Sequence, residues 1–336
     1  MPQDPRPAER IVSLLPSATE IVCALGLEER LVGVTHECDY PPSVRDKPKV
    51  TVTHIPTDAT SAEIDGLVHQ QLSNQEALYS LDTAVLRDLR PDLIVTQTLC
   101  DVCAVDDFEV KQALKKFDAP PKVLYLEPTR LDGVLENILQ VGRAAGAANE
   151  ARSVVLGLRQ RIERVRATAR EPAGDSSGHD PTGRIRVAAR AGRGDAGDAL
   201  PKVVVLEWLD PLFSCGHWTP ELVAIAGGVE PLARPGERSR EIKPDELASA
   251  DPDLILIACC GFGVERTLEE VPSFLKQPQI VQLRCVRDEN VFVTDGSAYF
   301  SRPGPRLVDS LELLAHTIHP RRSPLPAGVP AAVRAP

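Results

Sequence analysis

Thiolate and imidazole are the usual protein ligands of zinc, copper and iron, and this chain carries eight cysteines and seven histidines. Six of the cysteines and two of the histidines fall where an apolar, strand-like run has just ended: His36-Glu37-Cys38, Cys100-x-x-Cys103, Cys215-Gly216-His217-Trp218 and Cys259-Cys260. Three readings of the thiols stand side by side. Cys100, Cys103, Cys259 and Cys260 are candidate ligands of a metal or metal cofactor. Cys100 and Cys103 at a helix start would make a redox dithiol, because the helix dipole lowers a thiol pKa. Free cysteine also packs as a small hydrophobe, which suits Cys23 and Cys285. Aromatic residues are only 4% of the chain, yet Trp208, Trp218, Tyr299 and Phe300 cluster near the same positions. They suit either stacking on a large planar ligand or the core. Arg302 and Arg306 present planar forks for carboxylate or phosphate, with a surface ion pair as the plainer role. No catalytic motif occupies the strand-to-helix context its chemistry requires, so a binding protein is expected rather than an enzyme.

These residues must be held by elements that alternate strand and helix. Arg10–Leu15 reads as a strand, and Ser17-x-x-Glu20 as a capping box opening a helix that stops at Gly26. Leu31–Thr35 is a second strand. Ser61 caps a helix carrying Ile64, Leu67, Val68 and Leu72, and Asp82 starts another that Pro91 closes. Strands follow at Asp92–Thr96 and Lys122–Leu126, with a helix near Asp107–Phe117. Helices at Leu131–Ala145 and Asn149–Arg170 interrupt the alternation, the second about 33 Å long at 1.5 Å per residue. Its Arg159, Arg161, Arg164 and Arg166 lie mostly off the apolar stripe and read as a solvated face. Strands resume at Lys202–Glu207, Asp253–Ala258 and Val291–Thr294, with helices at Pro220–Ile225, Pro244–Ala248 and Arg306–Thr317.

The expected organisation is therefore an α/β fold of two Rossmann-like lobes joined by one long helix. Residues 1–9 form a disordered start, 10–130 the first lobe, 131–170 the connecting helices, 171–200 a flexible Gly/Pro/Ala/Asp/Arg-rich insertion, 201–320 the second lobe and 321–336 a disordered tail. Helical crossovers make each sheet mostly parallel, and ligands of such sheets sit beyond the strand carboxyl ends. The ligand is expected in the cleft where those ends face one another. A net charge of −10 argues against nucleic acid as a partner. No apolar run reaches the roughly 18 residues of a membrane span, and the opening residues show no export leader. The chain as written is expected in the cytoplasm, and in the periplasm if its start lies further upstream.

Arg10-Ile-Val-Ser-Leu-Leu-Pro-Ser-Ala-Thr-Glu-Ile21, Leu25-Gly26, Leu31-Val-Gly-Val34 and Asp39-Tyr-Pro-Pro42 resemble the opening of the Fe/B12 periplasmic-binding family. Leu89-Arg-Pro-Asp-Leu-Ile94, Pro244, Leu247 and Asp251-Pro-Asp-Leu-Ile255 continue the resemblance, which spans about residues 10–318 and is tighter in the first lobe. It is to a thiol-rich branch without a signal peptide. The resemblance implies a class III solute-binding protein that takes cobalamin, a ferric siderophore or haem and delivers it to an ABC permease and its ATPase. Acidic residues such as Asp107, Glu109 and Glu237 are the candidates for docking. Ligand contacts are expected from His36, Glu37, Tyr40, Gln97, Trp208, Trp218, Tyr299, Phe300 and Arg302. Alternatives are an intracellular metal or haem carrier (iron, zinc or haem on the Cys and His side chains), and a dithiol enzyme acting on a corrinoid.

Overall fold

A computed structural model describes residues 7–56, 59–73, 78–97, 107–170 and 200–336. The chain divides into two compact units, residues 1–159 with 302–305, and residues 160–301 with 306–336. In unit 1 the elements are β1 (Ile11–Ser13), α1 (Pro16–Ala24), β2 (Leu31–Gly33), β3 (Thr51–Thr53), α2 (Ser61–Ser73), β4 (Tyr79–Leu81), α3 (Thr83–Asp88), β5 (Leu93–Thr96), α4 (Asp107–Leu114), β6 (Lys122–Tyr125) and α5 (Leu131–Ala144). Helix α6 (Ala148–Arg170) then carries the chain into unit 2.

Four parallel strands run in the order β2-β1-β5-β6. Leu93, Ile94, Val95 and Thr96 are all buried, as a central parallel strand covered on both faces requires. Val12, Leu14, Val50, Leu81, Leu86, Ile94, Val110 and Ala113 form the core beneath. Asp92 fixes the register at the strand starts: its carboxylate accepts from the backbone N–H of Glu9 (2.8 Å) and Arg10 (3.0 Å). Two local expectations fail. The first helix begins at Pro16, where a missing N–H costs nothing, and Leu15 caps it without a side-chain bond. Ser17 and Glu20 are thus inside the helix and form no capping box. The box at α2 belongs to Thr60, not Ser61: Glu63 accepts from the Thr60 N–H (2.8 Å) and donates its own N–H to the Thr60 hydroxyl (3.3 Å). Asp82 caps α3 as expected, accepting from Ala84 and Val85.

Unit 2 contains β7 (Val203–Leu209), β8 (Leu212–Ser214), α7 (Thr219–Ile225), α8 (Pro244–Ala250), β9 (Leu254–Ile257), α9 (Val264–Leu275), α10 (Arg284–Arg287), β10 (Val291–Val293), α11 (Leu307–Ile318) and β11 (Val333–Arg334). The sheet order is β11-β10-β9-β7-β8, with β10, β9 and β7 parallel and the two outer strands antiparallel. Asp253 repeats the role of Asp92: its Oδ2 accepts from the Lys202 N–H at 2.8 Å, and its Oδ1 pairs with Arg284. Arg161 of α6 is no solvated arginine, since it pairs with Asp309 and with Glu312 (2.5 Å) of α11. The Pro/Ala-rich tail expected to be disordered instead supplies β11, and the Ala335 N–H bonds Val291 O at 2.8 Å. An unpaired edge of β10 offers that tail main-chain partners whatever its side chains. The insertion at 171–200 lies, but for Leu200, outside the described residues.

Candidate ligand-binding site

The carboxyl end of β2 leads through Val34 and Thr35 to His36. The His36 backbone N–H donates to Thr51 Oγ1 at 3.1 Å, and its ring Nδ1 lies 2.8 Å from the same oxygen. The ring packs against Tyr79, 5.3 Å between centroids. Burial, helped by the Lys49 charge, lowers the His36 pKa, so the ring is neutral near pH 7. Desolvation raises the Glu37 carboxyl pKa, opposed by the Arg302 charge and a side-chain hydrogen bond with Tyr79. Tyr40 is exposed at 44%. At the end of β5, Gln97 is buried, and Thr96 Oγ1 is buried with no hydrogen-bond partner among the described residues. A polar cluster of His36, Thr51, Tyr79 and Glu37 thus occupies the strand-end region of unit 1.

Arg302 sits in unit 1, buried, with its Nη1 donating to Asp39 Oδ1 (2.5 Å) and Glu20 Oε1 (3.4 Å) and its Nη2 to the Glu37 carbonyl (3.4 Å). The guanidinium expected to meet ligand carboxylates is held by carboxylates of its own unit. Its plainer role as an ion pair also changes, because the pair is buried rather than on the surface. Cys38 is buried too, its Sγ 3.0 Å from Thr19 Oγ1 and 3.1 Å from Thr35 Oγ1, and burial raises its pKa.

In unit 2, Trp208 donates from Nε1 to Asp210 O at 3.0 Å and packs 5.0 Å from Phe262, over which Arg266 lies at 4.9 Å. Trp218, Tyr299 and Phe300 are buried at 7%, 9% and 2% exposure. Trp218 Nε1 donates to Phe300 O (3.0 Å), and the Ser310 hydroxyl donates to Tyr299 O. These three rings are packed in place, while Trp208 keeps part of its surface. Gly216 is fixed by space: a Cβ there would lie 2.1 Å from Ser239 N. His217, at φ +51°, stacks on Trp218, and its Nε2 is buried without a partner among the described residues. Behind it the Cys215 thiol donates to Glu230 Oε2 at 3.5 Å, and burial raises the Glu230 pKa to about 7.

Of the four cysteines expected as metal ligands, the described residues include only Cys259 and Cys260. Among the described residues no three His, Cys, Asp or Glu side chains converge as a metal site. Cys259 is fully buried with its thiol pushed up to about 12 by desolvation, whereas Cys260 is exposed. One buried and one exposed, the two neighbouring thiols sit in different environments. Cys100 and Cys103 lie outside the described residues. The candidate docking residue Glu109 faces inward, its Oε1 accepting from the Leu81 N–H at 2.7 Å; Glu237 is exposed, and nothing is described of the Asp107 side chain. Thr51, Tyr79 and Thr96 escaped sequence reasoning, the first two because three-residue strands leave no readable periodicity.

Comparison with known proteins gives this architecture its place. The family model described as periplasmic binding protein matches residues 11–177, just under half of the chain, and that stretch belongs to this family. It is 23% identical to a vitamin B12-binding protein of Vibrio cholerae, covering 92% of this chain and 88% of that one. It is 24% identical to a cobalamin-binding protein of Halobacterium salinarum, over 93% and 69%. A periplasmic haem-binding protein from Pseudomonas aeruginosa has a similar structure, at TM-score 0.67, 21% identity and 98% and 99% coverage. The periplasmic vitamin B12-binding protein of Vibrio cholerae follows at TM-score 0.62, 19% identity and 93% and 98% coverage. Among the described residues no helix is long and apolar enough to cross a membrane.

Proposed function

We propose that this chain is the non-catalytic solute-binding component of an ABC-type uptake system and that its ligand is a corrinoid, cobalamin in the first instance. The observation that carries the reading is similarity over nine-tenths of the chain to relatives named for vitamin B12 and cobalamin. The geometry agrees with it: two parallel-sheet units carry polar and aromatic side chains at strand carboxyl ends, where ligands of such sheets bind. The unit 1 residues assigned to ligand contact are His36, Glu37, Tyr40 and Gln97, and the unit 2 candidate is Trp208. Trp218, Tyr299 and Phe300 are buried within unit 2. Action outside the cytoplasmic membrane, with delivery to a permease, belongs to the same proposal. Haem is the second ligand, favoured by the likeness to the Pseudomonas aeruginosa protein. The test is an equilibrium titration of the reduced protein with cyanocobalamin, followed by absorbance, and a parallel titration with ferric haem. Saturable one-to-one binding of cyanocobalamin supports the reading; haem binding alone replaces the corrinoid; binding of neither sinks both.

A further inference from the structure

His36 and Thr51 offer a hydrogen-bond count with one economical solution. Thr51 is 3% exposed, and its hydroxyl has two neighbours in hydrogen-bond reach, the His36 N–H at 3.1 Å and the His36 Nδ1 at 2.8 Å. The backbone N–H can only donate, so Thr51 Oγ1 accepts there. A threonine hydroxyl has one proton to give. If Nδ1 also donated, that proton would be buried with no acceptor among the described residues, an arrangement native interiors avoid. If instead the hydroxyl donates to Nδ1, every group in the trio is satisfied. The ring is neutral, so its remaining proton is then on Nε2. Packing against Tyr79 fixes the ring plane.

We propose that Thr51 locks His36 as the Nε2–H tautomer, so that unit 1 presents its ligand with an imidazole N–H donor and not with a lone pair for the ligand's metal. The inference rests on the binding function proposed above and deepens it. It assigns His36 to an oxygen acceptor on the ligand's edge, an amide carbonyl, carboxylate or phosphate. A corrinoid ringed with amide side chains supplies such an acceptor. A metalloporphyrin seeking an axial nitrogen would not be served.

The tautomer can be read without any ligand. Long-range proton–nitrogen correlation spectra of protein labelled with ¹⁵N-histidine are expected to show His36 protonated at Nε2 and bare at Nδ1. Thr51→Val is expected to move the proton toward Nδ1. Protonation at Nδ1 in the wild type overturns the proposal. In cyanocobalamin titrations, His36→Gln, whose amide nitrogen reaches the Nε2 position, is expected to bind within about threefold of wild type. His36→Asn, which reaches only the Nδ1 position, is expected to lose about tenfold or more. Equal loss in both variants counts against the donor role. A histidine-ligated spectrum with ferric haem that disappears in His36→Gln overturns it outright. Failure of the wild type to bind cyanocobalamin falls on the proposed ligand, while the tautomer measurement still decides this inference.

Discussion

Replacing Arg302 with alanine should destabilise unit 1 by a predictable amount. Its guanidinium serves Glu20, which is 3% exposed, and Asp39, whose side chain is about half exposed. Removing one partner of a fully buried pair costs about 3–5 kcal/mol, because a charge is left desolvated. The half-exposed Asp39 can recover water, so the lower end applies, about 3 kcal/mol. Unit 1 has roughly 160 residues, for which each kcal/mol moves a midpoint by about 3 °C. Arg302→Ala is therefore expected to lower the calorimetric transition containing unit 1 by about 9 °C. Adding Glu20→Gln to Arg302→Met removes the buried charge with its partner and should restore at least half of the loss. A shift below about 2 °C for Arg302→Ala, or no recovery in the double variant, would refute the argument that this ion pair is buried and structural.

Four further outcomes are expected. Glu230 has its folded pKa raised from 4.5 to about 7, so the stability it contributes is present below pH 4.5 and is lost as pH rises through 7. Urea midpoints should fall over that window by the equivalent of about 3 kcal/mol, and Glu230→Gln should flatten the slope. Iodoacetamide applied to the native protein should label Cys260 and spare Cys38, Cys215, Cys259 and Cys285, as peptide mass spectrometry would register. Gly216→Ala should cost about 3 kcal/mol in urea denaturation, since its methyl would collide with the backbone of Ser239. Arg161→Ala, which strips two carboxylates of their partner, should lower stability by about 2 kcal/mol by the same measurement.

The alternation of short apolar runs with amphipathic helices made the α/β class legible, and the two Pro-Asp-Leu-Ile runs marked equivalent strands. Asp92 and Asp253 show why: each stands directly before its apolar strand and is readable there by type, although the amides it holds are 82 and 51 positions away. Glu20 shows the opposite. Its spacing from Ser17 mimics a cap, but its carboxylate pairs with an arginine 282 positions away, and no local pattern carries that information. His36 was visible as a residue type at a strand end. Its partners were not, because Thr51 and Tyr79 lie on strands of three residues. Trp218, Tyr299 and Phe300 were legible as a cluster, while burial, which decides between packing and stacking, depends on residues distant in sequence.

The last strand has a practical consequence for anyone handling this protein. Because β11 lies along β10 through the pairs Phe292–Arg334 and Val293–Val333, any tag or cleavage site placed next to Arg334 sits beside an occupied sheet edge. Loss of Val333 and Arg334 would strip β10 of its neighbour and present a row of unpaired amides and carbonyls, a template for self-association. A product cleaved before Val333 should reveal itself as aggregate in size-exclusion chromatography before any loss of ligand binding is seen.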